Sequence, residues 1–193
     1  MALDPIACAL FVLTAFTMAG AAQTAWFRSR WSHRLMLPLD AGRMLGGRRV
    51  FGANKTIRGF VVMVPASAAA FLILAGLLGR HGLEHTGLWP LAAREYAALG
   101  ALAGFGFMAG ELPNSFIKRR LGIAEGHAPA AGVGLAIQFL ADRLDSGLGM
   151  LVAMTAMVPI PPLTWIVVLA AGLLIHWSFS VLMFRLGIKA RPA

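Results

Sequence analysis

Apolar residues gather into five long runs, separated by stretches where Gly, Arg, Lys and Pro collect. The runs extend from about Pro5 to Phe27, Gly59 to Leu78, Tyr96 to Gly110, Gly132 to Met157 and Leu163 to Leu186. A helix needs about 20 mainly apolar residues to cross a bilayer, which these runs approach or exceed. The third is short, and the fourth is interrupted by charges. None alternates strictly, as a barrel strand would, so each predicts a helix that satisfies its own backbone. No Lys or Arg precedes the first run, which carries Asp4 and has the length of a full span. It reads as a retained helix, not a cleaved signal peptide. The expected fold is all-α: a polytopic transmembrane bundle of about five spans. It forms one membrane domain over residues 1–193, with loops at about 28–58 and 111–131.

Composition agrees. Of 193 residues, 59% are hydrophobic, too many for the interior of a soluble domain of this size to hide. The net charge of +9 suits nucleic acid, anionic lipid or a phosphorylated substrate, and the apolar content argues against nucleic acid. The single Cys8 excludes an intramolecular disulfide and reads as a small packing residue. The charge is also uneven. Residues 28–58 hold eight of the 17 basic residues against Asp40 alone. Lys118, Arg119 and Arg120 follow the third run, and Arg185, Lys189 and Arg191 follow the fifth. With Arg143 counted on that side, only Arg80 and Arg94 lie opposite. By the positive-inside rule the basic face is cytoplasmic, the N-terminus outside and the C-terminus inside. The active face of an inner (cytoplasmic) membrane protein is then the basic one. Trp26, Trp31, Trp89 and Trp165 lie near run ends, where interfacial anchors belong. A homo-oligomer is compatible with the sequence and not required by it.

Three segments on the basic side carry candidate chemistry. GGRRVFGANKTIRGF, Gly46 to Phe60, mixes glycine with Arg48, Arg49, Lys55 and Arg58. Glycine lets a backbone approach an anion, and Asn54 or Thr56 can add hydrogen bonds. Lys55 and Arg58 share a face if the second helix starts early. The competing reading is a juxtamembrane loop that sets topology or touches membrane lipids. In GELPNSFIKRRLGIAEG, Gly110 to Gly126, the residues Ser115, Lys118 and Arg119 follow i, i+3, i+4 spacing, which suits a phosphate. Glu111 stands at the end of the third run, where a carboxylate needs a partner. In DRLDS, Asp142 to Ser146, the acids Asp142 and Asp145 share one helix face. Paired carboxylates in a low-dielectric setting repel unless a cation joins them, and oxygen ligands suit Mg²⁺. The competing reading is a structural ion pair with Arg143. No protein nucleophile is evident. His81 and His85 are i, i+4 without a third ligand, and His127 reads as a solvated loop residue.

The ordered set GANKTIRG, SFIKRRLG and DRLDS resembles the CDP-archaeol synthase family and the related phosphatidate cytidylyltransferases. Asp40 ahead of Gly47, Arg48 and Arg49, and a tail with His176, Gly187, Lys189 and Pro192, extend the resemblance over most of the chain. Departures at Gly46, Glu111 (where Asp is usual), Arg143 (where the archaeol branch often has Gln) and Ser180 bear on the substrate more than on the reaction. The resemblance implies a Mg²⁺-dependent reaction of CTP with a lipid phosphate, giving a CDP-lipid and pyrophosphate. It implies that Glu111, Asp142 and Asp145 gather the metal. Lys55, Arg58, Lys118 and Arg119 would hold the triphosphate and lipid phosphate, with Asn54, Thr56 and Ser115 orienting oxygens. Lys118, Arg119, Asp142 and Asp145 are the expected catalytic set. A CTP-dependent lipid kinase and a non-catalytic module binding anionic lipid are the alternatives.

Overall fold

A computed structural model describes residues 2–79, 87–124 and 133–188, with side chains from 138 onward in the last stretch. Arg80, His81, His85, His127, Lys189, Arg191 and Pro192 lie outside the described residues. Five long helices follow the five apolar runs: α1 (Pro5–Arg28), α2 (Ile57–Gly79), α3 (Ala93–Arg120), α4 (Val133–Met154) and α5 (Pro162–Arg185). By length and composition α1, α2 and α5 are able to cross a membrane. The polytopic all-α bundle is as expected. Two short strands add to it, β1 (Met44–Leu45) and β2 (Arg48–Arg49).

Local chemistry explains the helix starts. The Asp4 carboxylate accepts from the Ile6 and Ala7 N–H groups at 2.8 and 3.0 Å, and Pro5 occupies the first turn, where its missing donor is harmless. The Glu95 carboxylate accepts from the Ala92 N–H at 2.7 Å to close the start of α3. Pro162 opens α5.

Helix α3 runs ten residues beyond Gly110, where the third span was expected to end. Residues 111–120, expected as loop, are therefore helix, and α3 spans roughly 42 Å, well over a bilayer core of ~30 Å. The falling hydropathy after Gly110 marks the exit from apolar surroundings, not the end of the helix. Pro113 lies inside α3, at the cost of one backbone hydrogen bond.

Glycines set how closely the helices approach. A Cβ on Gly104 would lie 2.0 Å from Ser67 Oγ of α2. A Cβ on Gly110 would lie 2.4 Å from the Asp145 carbonyl oxygen, and one on Gly149 would lie 2.3 Å from that of Gly106. Helices α2, α3 and α4 thus meet backbone to backbone, as small residues permit in membrane bundles. At one end of the bundle, Phe11, Phe71, Trp89, Tyr96, Leu99 and Leu151 form the apolar core. Trp89 is 2% exposed and donates its indole N–H to the Pro159 carbonyl at 2.8 Å. It is a core residue, in contrast to the interfacial anchor expected from its position. Cys8 is fully buried there. The charged residues collect at the opposite end, where α1 and α5 finish, α2 begins and α3 extends.

Candidate active site

The loop between α1 and α2 builds one wall of the site, and Asp40 holds it. Its buried carboxylate accepts from Arg49 at 2.5 Å and from the N–H groups of Gly42, Phe51 and Gly52 at 3.0, 3.2 and 3.0 Å. Burial alone would raise its pKa, but Arg49 and the three amides outweigh that and hold it well below the usual carboxylate range. Gly46 and Gly47 both have positive φ and turn β1 into β2, the conformation a two-residue hairpin requires. Arg120 donates to the carbonyls of Leu45, Arg48 and Arg49, while Arg48 donates back to the Arg120 carbonyl at 2.7 Å. The hairpin is thereby docked on the end of α3. Arg48, Arg49 and Arg120 are spent on folding this loop.

An antiparallel bridge between Pro38 and Thr56 then places the ANKT segment across the mouth of the bundle. Because that bridge keeps the chain extended until α2 begins at Ile57, Lys55 and Arg58 part company. Lys55 reaches inward and ion-pairs with Glu111 of α3. Burial would lower the Lys55 pKa, but Glu111, with Asp145 and Asp142 behind it, keeps the ammonium above its ordinary range. Arg58 lies 4.4 Å over the Phe27 ring instead.

Close packing of α3 on α4 brings the acids together. Asn114 Nδ2 donates to Asp142 Oδ1 at 2.7 Å and to Asp145 Oδ2 at 2.8 Å. Lys118 ion-pairs with Asp142, and Gln138 donates to the same oxygen at 2.7 Å. Ser146 Oγ donates to Glu111 at 3.0 Å and also lies 3.3 Å from Asp145. Glu111 therefore stands one hydroxyl away from the Asp142–Asp145 pair, and among the described residues no three acids, histidines or cysteines form a ready metal cage. The pair itself fits a hard cation. One oxygen from each carboxylate already accepts from the same atom, the Asn114 nitrogen, and both are the hard ligand atoms such a cation takes.

These groups line a polar pocket of about 300 Å³. It gathers Asn54, Lys55, Glu111, Ser115, Lys118, Arg119, Asp142 and Asp145 from the sequence expectation. Thr56 and Arg58 are not in it. They line a second, larger cavity of about 660 Å³ that continues toward Val12, Phe16 and Met150 between the helices. The two spaces share a wall made by Asn54, Lys55, Glu111, Arg143 and His176. Sequence reasoning missed Asn114, Gln138, Ser146 and His176 as parts of this site. Asn114 is three residues from Glu111 and four from Lys118, and Gln138 is four from Asp142, so helical spacing was the available signal. His176 arrives only through packing of α5.

The sequence profile of the CarS-like CDP-archaeol synthase family matches residues 36–192. The chain belongs to the CDP-archaeol synthase family. It is accordingly a CTP-dependent cytidylyltransferase acting on a lipid phosphate. A CDP-archaeol synthase of Methanospirillum hungatei is 33% identical over 81% of this chain and 89% of its own length. One from Aeropyrum pernix is 37% identical over 80% and 78%. A solved structure, described as an intramembrane enzyme for archaeal membrane lipid biosynthesis, is 27% identical, with a TM-score of 0.64 over 92% of this chain and 94% of that one. The enzyme is thus an integral membrane protein.

Proposed function

We propose that this cytidylyltransferase joins CTP to its lipid phosphate inside the polar pocket, with Mg²⁺ held by Asp142 and Asp145, at the cytoplasmic face of the inner membrane. The observation that carries this reading is the shared wall. A charged space for a nucleotide adjoins an apolar space for lipid chains along Asn54, Lys55, Glu111, Arg143 and His176. A reaction between a water-soluble triphosphate and a membrane lipid needs that junction. The one-sided distribution of basic residues supports the cytoplasmic placement, with the N-terminus outside and the C-terminus inside.

In the reaction, a phosphate oxygen of the lipid attacks the α-phosphorus of CTP. The new P–O bond forms as the bond to the β-phosphate oxygen breaks, and the electron pair leaves with pyrophosphate. No side chain needs to act as nucleophile, so the protein contributes position and charge. Lys118 and Arg119 take up negative charge on the departing pyrophosphate. Asn54 and Ser115 hydrogen-bond phosphate oxygens. Lys55, held by Glu111, keeps a cation at the junction, while Thr56 and Arg58 face the lipid side. Bound Mg²⁺ supplies neutralisation of the triphosphate. Glu111 serves as a third carboxylate beside the pair, linked to it by Ser146.

The test is turnover by the purified protein with CTP, Mg²⁺ and a panel of ether-linked isoprenoid and ester-linked lipid phosphates, read by mass spectrometry. Release of pyrophosphate with a CDP-lipid is expected, whereas CDP with a newly phosphorylated lipid would identify a kinase. Asp145→Asn, inserted normally in the membrane, should lower turnover by about a hundredfold or more. Unchanged turnover in that variant removes the metal assignment.

A further inference from the structure

Five cations line the two cavities, and they are not equivalent: Arg58 lines only the larger one, over the Phe27 ring. Lys55 is paired with Glu111, and Lys118 is paired with Asp142. Arg119 faces the polar pocket alone. Arg143 lines both spaces and is 7% exposed. Among the described residues it makes no ion pair. Its guanidinium lies 3.4 Å from the centroid of the Phe139 ring, one terminal nitrogen donates to the Phe139 carbonyl at 2.9 Å, and Nε has no partner. Asp142 acts on it electrostatically but makes no contact ion pair with it, and the Phe139 contacts leave most of its donor fork unused.

We propose that Arg143 grips the phosphate of the acceptor lipid, whose chains occupy the apolar cavity, while Lys118 and Arg119 serve the nucleotide. The inference rests on the cytidylyltransferase reading and divides its site into an acceptor side and a donor side. Position decides the division. Lys118 and Arg119 line only the polar pocket, whereas a headgroup joined to chains in the larger cavity enters that pocket across the shared wall. Arg143 stands where the two spaces meet. A phosphate monoester there presents two or three oxygens, and a guanidinium fork matches them in a way an ammonium does not. The aromatic face of Phe139 fixes the plane of that fork before the lipid arrives. Gly172 lies on the apolar side of the same site, one helical turn from His176. It lines the larger cavity, and a Cβ there would meet nothing within 4 Å, so a larger side chain would extend into open space.

The experiment compares Arg143→Gln and Arg143→Lys with the parent protein in mixed micelles containing phosphatidate. The KM for phosphatidate at saturating CTP and the Kd for CTP without lipid are measured separately. Arg143→Gln should raise the KM about tenfold or more with the CTP Kd within about twofold, and Arg143→Lys should raise it less. A tenfold loss of CTP affinity with an unchanged lipid KM overturns the proposal, as does no change in either constant. If the Gln variant does not insert, the Lys variant decides, because it keeps the charge and loses the fork. An unchanged KM in that variant overturns the proposal. Gly172→Leu should raise the KM for phosphatidate with the CTP Kd within about twofold, and an unchanged KM would place the chains elsewhere. Should the parent protein turn over no lipid phosphate, the cytidylyltransferase reading is what fails. Binding of phosphatidate against its phosphate-free alcohol, followed by native mass spectrometry, then still reads Arg143.

Discussion

Asp40 is a single acid among eight basic residues between Arg28 and Arg58, and four donors converge on it from the same loop: the Arg49 guanidinium and the amides of Gly42, Phe51 and Gly52. In sequence it looked like a weak counter-charge to a topology signal. In the structure it is the residue around which the ANKT segment is positioned, because losing the carboxylate's charge releases Arg49 and three amides together. Its pKa is depressed on folding, so its contribution is fully present above the unfolded value of about 3.9 and is lost as pH falls through the lower folded value. The loop should therefore stay closed at pH 5 and open only in strong acid. Asp40→Asn should open it at neutral pH. Hydrogen exchange at the Phe51 and Gly52 amides, followed from pH 7 downward, measures both. Early exchange of these amides near pH 5 in the parent protein would remove Asp40 from this role. The same residue shows why the basic loop resisted reading. Arg48, Arg49 and Arg120 bind carbonyls and a carboxylate, and composition does not separate such cations from the ones that line the pocket.

Helices α3 and α4 carry the site, and their approach distance sets its geometry. The acids of α4 were legible because charges inside an apolar run are expensive and stand out. Their neighbours Asn114, Gln138 and Ser146 were not, since uncharged polar residues cost less and blend into a helix end. The end of α3 was misplaced for a related reason: hydropathy reports the surroundings of a segment, whereas backbone hydrogen bonding decides whether it remains helical. Glu111, Asn114, Ser115 and Lys118 share a rigid element that reaches past the apolar layer, and the charged pocket forms where α4 packs beside it. The contact depends on glycine. A Cβ at Gly110 would stand 2.4 Å from the Asp145 carbonyl and 2.9 Å from Gly149 Cα, both backbone atoms that no rotamer change can move. Gly110→Ala should separate the helices just where Glu111 and Ser146 meet. Overpacking of this kind costs about 1–3 kcal/mol. The variant is expected to unfold at lower temperature in detergent and to lose at least tenfold in CTP turnover. Gly76→Ala, at a position with nothing within 4 Å, should leave both unchanged. Equal behaviour of the two variants would mean that the backbone contact does not govern the site.

For the molecule as a whole, charge asymmetry and fold point to the same polarity. Consecutive helices run antiparallel, so the loop before α2, the extended end of α3 and the end of α5 come to one face, while the start of α1, Trp89 and the turn after α4 share the other. The first face holds the basic segments and the polar pocket. The second has Asp4 capping α1 and a Pro-rich turn from Val158 to Pro162. Translocating the first face would carry most of the 17 basic residues across the bilayer, against the bias that sets orientation. The proposed placement of the pocket on the cytoplasmic side rests on the same asymmetry. The protein offers a direct check because Cys8 is its single cysteine and is fully buried, so it contributes little background to thiol labelling. Met44 in β1 is 59% exposed on the basic face, and Thr155 is exposed beyond α4 on the other. With a membrane-impermeant maleimide applied to intact cells, Thr155→Cys should label at once and Met44→Cys only after lysis. The reverse pattern would turn the protein over in the membrane and put its CTP pocket on the side where no CTP is supplied, so the placement of the active site and the orientation of the bundle stand or fall on one measurement.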